Sequence, residues 1–472
     1  MNLIVLYKVR EMLSVYIYTL YYLIVVFLFA LISASRRFGS ADDVCIYSSS
    51  MFQDGCMGAS APNEIGIWNA ALNQASSQGR YYQIPFFALS QLIIRSETYT
   101  YVVKFGTALA LLIALYALAK EFFDLKGARF ATAFFAHTYS MSGSYNALTG
   151  FPGWFSFGTL CFLVSLRGLV REAHGRKLKI RSKYVFVFST CVAVLSYELM
   201  VPMYSFCLIA ILIFTKSWTK KFKDIQSTFK ISLYILFLHL IAYGLFRFHN
   251  PTTYEGFELN LTNVSGALRT LIVFSLGGII GSIYSGLRDL DQLSIAFFGA
   301  TILSIIFTRN SFYLARERQF ARTYFKPLMF FGSLVLLPNF IFALTRRYQD
   351  WSINDSMYLG ALISHIFLAF VIAHLYQYLQ SRGGLRKGIL ISSTALIVFL
   401  SSVGNLNYLN RSLQFNMELR RLQTEIDSRA LAGGLSVSEI RRYDELIGTP
   451  SYRYFEAYLF KKFPNLKLIE ED

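Results

Sequence analysis

The chain has 472 residues, of which 54% are hydrophobic, 17% aromatic and only 15% charged. A soluble protein of this length needs more charge to cover its surface, so the composition excludes an ordinary soluble globular protein. The net charge of +17 would suit a nucleic-acid partner. However, Lys and Arg cluster in short segments between apolar runs, which is typical of cytoplasmic loops of membrane proteins, so we predict no nucleic-acid binding.

Apolar stretches of about 17–22 residues recur along the sequence, the length that crosses a hydrocarbon core of roughly 30 Å. We predict an all-α integral membrane protein. Residues 1–404 would form a polytopic helical bundle of about eleven spans plus a re-entrant segment. Residues 405–472 would form a small extracytoplasmic helical appendage. The first span, Ser14–Ala34, is too long for the apolar core of a signal peptide, and Lys8 and Arg10 before it favour a cytoplasmic N-terminus.

The largest polar loop between predicted spans is residues 35–100, which we expect outside the cytoplasm. It contains the adjacent acids Asp42 and Asp43. Carboxylates near a bilayer surface can act as a general base or ligate a divalent metal, because low-dielectric surroundings raise a carboxyl pKa. The alternative is a pair of solvated loop acids without a catalytic role.

Cys45 and Cys56 lie in the same loop. In an oxidising compartment they would form a disulfide or remain two free thiols, and the sequence leaves both possibilities open. The sequence shows no zinc-ligand spacing, no P-loop and no dinucleotide fingerprint. No cofactor is firmly implied, and a divalent metal would have the loop acids as its candidate ligands.

The next predicted spans are Val102–Ala119, Phe130–Leu148 and Trp154–Val170. The apolar stretch Tyr184–Thr215 that follows has strongly basic flanks on both sides. Equal flanks require an even number of crossings, so we predict two short spans with a turn near Ser196–Pro202. A seventh span, Ile231–Phe248, completes this part of the chain.

The apolar segment Arg269–Tyr284 is assigned from the number of membrane crossings that would place the following basic loop in the cytoplasm. The next span, Leu293–Thr308, ends in a basic loop that would lie outside if both segments crossed the membrane. The glycines in Leu276-Gly-Gly-Ile-Ile-Gly281 suit a re-entrant or interfacial element, and we predict a re-entrant one. The last three predicted spans are Pro327–Leu344, Met357–Leu379 and Gly388–Gly404. This threading places the N-terminus in the cytoplasm and the C-terminus outside it.

Further polar groups fall on the predicted extracytoplasmic side: Glu64, Arg80, Glu198, Arg346 and Arg347. An acid at membrane depth indicates a functional site, although Glu198 could also reach water at a turn. The arginine pair could bind a lipid phosphate through bidentate hydrogen bonds. The alternative is that both arginines extend to the membrane interface without a ligand.

This arrangement resembles the GT-C superfamily of membrane glycosyltransferases. It is most similar to the serotype-converting glucosyltransferases of bacteriophages and O-antigen loci. The architecture covers nearly the whole chain, whereas the motifs are short. The motifs that carry the resemblance are Ala41-Asp-Asp43, Gln78-Gly-Arg-Tyr-Tyr82, Thr149-Gly-Phe-Pro-Gly-Trp154 and Leu195-Ser-Tyr-Glu198.

The resemblance implies transfer of a sugar, a glucosyl group in the most similar enzymes, from an undecaprenyl-phosphate-linked donor to O-antigen or another surface polysaccharide. The reaction would take place at the periplasmic face of a bacterial inner membrane. Asp42 or Asp43 would deprotonate the acceptor hydroxyl. Arg80, Arg346 and Arg347 would stabilise the charge that develops on the departing lipid phosphate. Some members of the superfamily use a divalent metal and others do not.

Two other functions fit the same threading. An O-antigen polymerase would use the same lipid carrier, but its largest outer loop is expected late in the chain. A lipid-linked-sugar flippase or transporter is suggested by the re-entrant glycine segment and Glu198. Against it, the sequence contains no internal repeat of the kind that transporters show.

Overall fold

The computed structural model describes residues 2–36, 66–94, 96–142, 146–218, 226–251, 258–290, 295–313, 325–352, 359–382, 385–432, 434–436, 438 and 467–469. The helices in the first half are α1 (Asn2–Ser33), α2 (Ile67–Gln78), α3 (Gln83–Ile94), α4 (Glu97–Phe122), α5 (Leu125–Thr138), α6 (Trp154–Ala173), α7 (Ile180–Ser196) and α8 (Met200–Trp218). Those in the second half are α9 (Gln226–His249), α10 (Val264–Arg288), α11 (Ile295–Tyr313), α12 (Phe325–Ala343), α13 (Arg346–Trp351), α14 (Leu359–Arg382) and α15 (Leu385–Leu431).

The helices confirm the predicted class of protein. Within the described residues, six helices are long and apolar enough to cross a membrane: those containing Tyr16–Ser33, Glu97–Phe122, Ser227–His249, Val264–Arg288, Gly360–Tyr378 and Gly388–Arg429. Two strands of three residues each, β1 (Gly434–Ser436) and β2 (Lys467–Ile469), pair in parallel after the last helix. The chain is therefore a helical membrane protein.

Local capping explains where several helices begin. Ser96 accepts a hydrogen bond from the Tyr99 amide at 3.3 Å at the start of α4. Asp124 accepts one from the Gly127 amide at 2.7 Å at the start of α5. Each cap satisfies a backbone N–H that has no partner within the helix, which fixes the boundary between two adjoining helices.

The contacts between helices define two ends of the bundle. At one, Trp154 Nε1 donates to the Ser196 carbonyl at 3.1 Å, and Tyr197 packs on Phe342 with 6.1 Å between ring centroids. We call this the Arg80 end; it includes residues 34–36, 80–82, 146–153, 197–199 and 344–352. At the other, Gln377 lies 3.4 Å from Asp124 at the junction of α4 and α5. We call this the Glu121 end; it includes residues 121–124, 171–179 and 377–382.

The predicted span Phe130–Leu148 is wrong in its second half. Helix α5 ends at Thr138, and the described residues after it form irregular, mostly buried backbone. Asn405 on α15 stabilises this segment, because its Nδ2 donates to the carbonyls of His137 and Tyr139 at 3.0 and 2.9 Å. Irregular backbone is tolerated at membrane depth when protein covers it and supplies hydrogen bonds.

The segment Arg269–Tyr284, predicted as re-entrant, contains no backbone reversal, since it lies in the unbroken helix α10, which has 25 residues. Its glycines permit close packing. A Cβ on Gly278 would lie 2.6 Å from the His365 ring on α14, and one on Gly286 would overlap the backbone of Leu400 on α15. Small residues let apolar helices approach closely, so packing and not a backbone reversal explains this glycine pattern.

Helix α10 is long enough to cross the membrane, yet its polar contacts join both of its ends to the Arg80 end of the bundle. Near its start, Arg269 donates to the Gln349 carbonyl at 2.7 Å, beside α13. After its last residue, Asp289 pairs with Arg411 of α15 at 2.9 Å, beyond the level of Asn405. These contacts favour an oblique helix over one that runs from end to end.

Helix α15 has 47 residues and passes through the predicted boundary between residues 404 and 405 without a break. At about 1.5 Å per residue it is far longer than a hydrocarbon core of roughly 30 Å. Its later half packs at the Arg80 end, where Arg420 pairs with Glu97 at 2.7 Å. The last predicted span and the polar helix after it are thus parts of one element.

Two further predictions concern loops. The turn predicted near Ser196–Pro202 is confirmed, because α7 ends at Ser196 and α8 begins at Met200. The predicted polar loop 35–100 contains two helices, α2 and α3. Helix α3 is apolar, and seven of its residues are buried, so part of this loop belongs to the helical core.

Candidate functional site

The site is built first from the turn between α2 and α3. Gly79 adopts φ +64° and ends α2, and the Arg80 amide donates to the Ala75 carbonyl at 2.9 Å. Glycine takes this left-handed conformation without the steric cost that a Cβ imposes. The turn directs Arg80 into the protein, where only 9% of its side chain is exposed.

Arg80 forms an ion pair with Glu198, a contact that the sequence analysis did not predict. Its Nε lies 2.5 Å from Glu198 Oε1, and its NH1 donates to Gln78 Oε1 at 3.3 Å. Glu198 lies in the turn before α8, where the positive end of the helix dipole favours a carboxylate. The pair fixes the plane of the guanidinium at the end of the bundle.

Helix α9 contributes one polar face to the same place. His239, Tyr243 and Arg247 follow one another at a spacing of four residues, so they share a helix face. Tyr81 Oη lies 2.9 Å from His239 Nδ1, and the Tyr82 and Tyr243 rings pack with centroids 6.2 Å apart. Arg247 hydrogen-bonds Tyr243, which in turn lies within electrostatic reach of Arg80 and Glu198.

We call this group the Arg80 cluster; its members are Arg80, Tyr81, Tyr82, Glu198, His239, Tyr243 and Arg247. Burial, and then the neighbouring Glu198 carboxylate, raise the pKa of Tyr82, so this phenol is neutral near pH 7. Burial also raises the pKa of Tyr81. Among the arginines and the carboxylate of the cluster, two positive charges against one negative charge leave one net positive charge. The cluster therefore favours an anion.

An apolar groove of about 460 Å³ borders the cluster. Its lining residues are Tyr81, Ile84, Ala242, Leu245, Phe246, His249 and Asn250. It lies beside α9, whose apolar span is only 17% buried within the protein and so presents most of its surface to the surroundings. A cationic cluster beside an exposed apolar groove can hold a molecule with an anionic head and a hydrocarbon chain.

Arg346 and Arg347 lie at the same end of the bundle but form a separate group on α13. The Arg347 guanidinium stacks over the Trp351 ring at 4.5 Å. The two groups are linked through aromatic rings: Tyr197, next to Glu198, packs on Phe342, which packs on Tyr348 with centroids 4.8 Å apart. The structure thus places four of the predicted polar residues at one end and joins two of them directly.

The predicted site acids Asp42, Asp43 and Glu64 lie outside the described residues, and so do Cys45 and Cys56 with their possible disulfide. Their catalytic, binding and disulfide roles stay predictions.

Lys104 on α4 was missed by the sequence analysis. Its side chain is fully buried, and its Nζ donates to the Arg36 carbonyl at 3.1 Å and to the Thr149 carbonyl. Lys104 thereby joins Arg36, six residues before Asp42 in the sequence, to the turn before α6. A lysine inside an apolar span is a signal of function that could have identified it.

Among the described residues, no group of three or more His, Cys, Asp or Glu side chains could hold a metal ion. Comparison with protein-family models and with curated proteins finds no match for this sequence. The function therefore has to be inferred from the geometry of the site and from the resemblance that its motifs carry.

Proposed function

We propose that this protein is a membrane glycosyltransferase that transfers a sugar, by resemblance a glucosyl group, from a polyprenyl-phosphate-linked donor to O-antigen or another surface polysaccharide. The observation that carries the proposal is the positive Arg80 cluster beside the exposed apolar groove. A polyprenyl phosphate has the matching parts: a phosphate for the arginines and a long hydrocarbon chain for the groove.

The cluster is suited to bind phosphate at low cost. A guanidinium has five N–H donors in a plane, so Arg80 can hold Glu198 and a phosphate oxygen together. Glu198 reduces the charge that the two arginines would otherwise bury without compensation. Tyr82 and Tyr243 lie within electrostatic reach of the pair, and the low exposure of Arg80 strengthens its interaction with a phosphate.

In the proposed reaction, Asp42 or Asp43 accepts the proton of the acceptor hydroxyl. The hydroxyl oxygen then attacks the anomeric carbon, the bond from this carbon to the phosphate oxygen breaks, and the lipid phosphate departs with the electron pair. Arg80 and Arg247 stabilise the charge on that phosphate. Lys104 holds the backbone at Arg36, which precedes the two acids in the sequence.

The proposal is tested with Asp42→Asn, Asp43→Asn and the double variant in proteoliposomes that contain a polyprenyl-phosphate sugar. Two signals are measured, sugar transfer to the glycan and movement of the lipid across the bilayer. We expect the double variant to lose transfer by about 10²–10⁴-fold, the usual contribution of a general base. Asp350→Asn, an exposed acid on α13, is the matched control. Full transfer in the double variant would reject the base assignment, and lipid movement without transfer would favour a flippase.

A further inference from the structure

A second charged cluster lies at the opposite end of the bundle and has no part in the proposed reaction. Glu121, near the end of α4, is almost fully buried, with 4% of its side chain exposed. Three arginines converge on it: Arg167 and Arg176 at 3.0 Å, and Arg171 at 3.8 Å. We call these four residues the Glu121 cluster.

The backbone is shaped to bring the third arginine to Glu121. Arg167 and Arg171 are four residues apart on α6 and share a helix face. Gly175 then adopts φ +76°, and the Arg176 amide donates to the Arg171 carbonyl at 2.9 Å, which turns the chain back over the helix end. The three guanidiniums are held in position by this turn and by the shared carboxylate.

One carboxylate does not neutralise three arginines. The nearby Glu172 is directed elsewhere, because its Oε2 accepts a hydrogen bond from Thr228 at 2.5 Å. Asp124 caps α5 through the Gly127 amide. Burial and the neighbouring Arg176 lower the pKa of His174, so this imidazole is neutral near pH 7. The cluster therefore has two net positive charges among the described residues.

The arginines remain accessible from outside the protein. The exposed fractions of the Arg167, Arg171 and Arg176 side chains are 38, 37 and 61%. The cluster also lies where the apolar helix α4 ends, at Phe122. A helix that spans the hydrocarbon core ends at the level of the lipid headgroups, so the guanidiniums face that layer.

The geometry points to the Glu121 cluster as a binding site for a phosphate group, supplied by an anionic phospholipid such as phosphatidylglycerol. Guanidinium forks match phosphate oxygens in pairs, and each basic side chain near the surface strengthens binding to anionic lipid. Glu121 holds the three guanidiniums close together before the lipid arrives. This site is independent of the proposed transfer reaction and requires no sugar donor.

The test counts lipids on the purified full-length protein by native mass spectrometry after exchange with phosphatidylglycerol or phosphatidylcholine. We expect the wild type to retain phosphatidylglycerol selectively. Arg171→Gln should weaken retention by about fivefold. This single variant leaves the two 3.0 Å contacts with Glu121 in place, so the fold is preserved. The triple variant R167Q/R171Q/R176Q should lose the selectivity.

A second triple variant, K177Q/K179Q/R181Q, is the matched control, because it removes the same charge from exposed positions in the same segment. It should weaken the retention of phosphatidylglycerol much less than R167Q/R171Q/R176Q does. Equal losses in the two triple variants would overturn the proposal, since they would indicate general attraction to a basic surface. If millimolar inorganic phosphate displaced the lipid, the ligand of the site would be free phosphate and the proposed lipid would be wrong.

Discussion

Arg80 and Glu198 are distant in sequence, and their pairing decides the electrostatics of the proposed phosphate site. The two side chains are 9 and 25% exposed, so neither can recover full hydration if its partner is removed. Breaking a buried pair costs more than replacing both members, because the remaining charge is left uncompensated. Stability and ligand binding are therefore coupled at this contact.

We expect Arg80→Gln and Glu198→Gln each to lower the free energy of unfolding by about 1–3 kcal/mol, and the double variant to lower it by less than the sum. The measurement is a double-mutant cycle on thermal unfolding in detergent. Additive losses would contradict the coupling that the 2.5 Å contact implies.

A second prediction at this scale concerns Lys104. Lys104→Met removes the donor to the Arg36 and Thr149 carbonyls and leaves them buried, so we expect a loss of about 1–3 kcal/mol in stability together with a loss of sugar transfer. Lys120→Met is the control, because Lys120 is an exposed residue of the same helix. Comparable thermal shifts in the two variants would show that the buried ammonium has no special role.

Arg80 and Glu198 could be predicted from sequence because both stand in polar turns, where a charged residue is conspicuous. Lys104, His239 and Arg247 were missed, since each lies inside an apolar stretch that was interpreted only by its length. The spacing of four residues from His239 to Arg247 is the signal that could have placed them on one helix face.

Among the elements, α10 departs most from its predicted form. Apolar length and glycine content describe a re-entrant segment and a tightly packed helix equally well. The distinction depends on which residues face the glycines, and that follows from tertiary packing. Composition also could not identify the irregular backbone at residues 139–142 and 146–150. A buried irregular segment is as apolar as a membrane span. The α7–α8 turn was predictable, since basic flanks on both sides fix the parity.

Gly286→Ala tests the packing explanation. The added methyl group would overlap the Leu400 carbonyl, and backbone atoms cannot rotate away, so we expect a loss of about 1–3 kcal/mol in stability. Gly244→Ala on α9 is the control, because nothing lies within 4 Å of the added Cβ. That variant should be neutral or stabilised by up to about 1 kcal/mol through higher helix propensity. A harmless Gly286→Ala would refute close packing of α10 on α15.

Over the whole molecule, composition and apolar length were sufficient to predict a helical membrane protein. They were not sufficient to divide α15 at the predicted domain boundary, because the polar residues after Gly404 continue the same helix. Each end of the bundle has a charged cluster. One end has the Arg80 cluster, and the other has the Glu121 cluster.

The oblique course of α10 predicts a topology that labelling can measure. In a cysteine-free background, Ser265→Cys and Arg288→Cys should react with a membrane-impermeant maleimide from the same side of sealed vesicles. Lys177→Cys, at the Glu121 end, should react only from the opposite side. If Ser265→Cys and Arg288→Cys were labelled from opposite sides, α10 would cross the membrane and the account of its contacts would be wrong.

The central claim is that the groove beside α9 holds the hydrocarbon chain of a polyprenyl phosphate whose head binds the Arg80 cluster. The most direct measurement is photo-crosslinking of radiolabelled polyprenyl phosphate to a benzophenone side chain introduced at Ala242, which lines the groove. Leu240, 54% exposed and on the other side of α9, is the control position. We predict strong crosslinking at Ala242 that Arg247→Gln abolishes, with little at Leu240. Equal crosslinking at both positions, unaffected by Arg247→Gln, would contradict the claim.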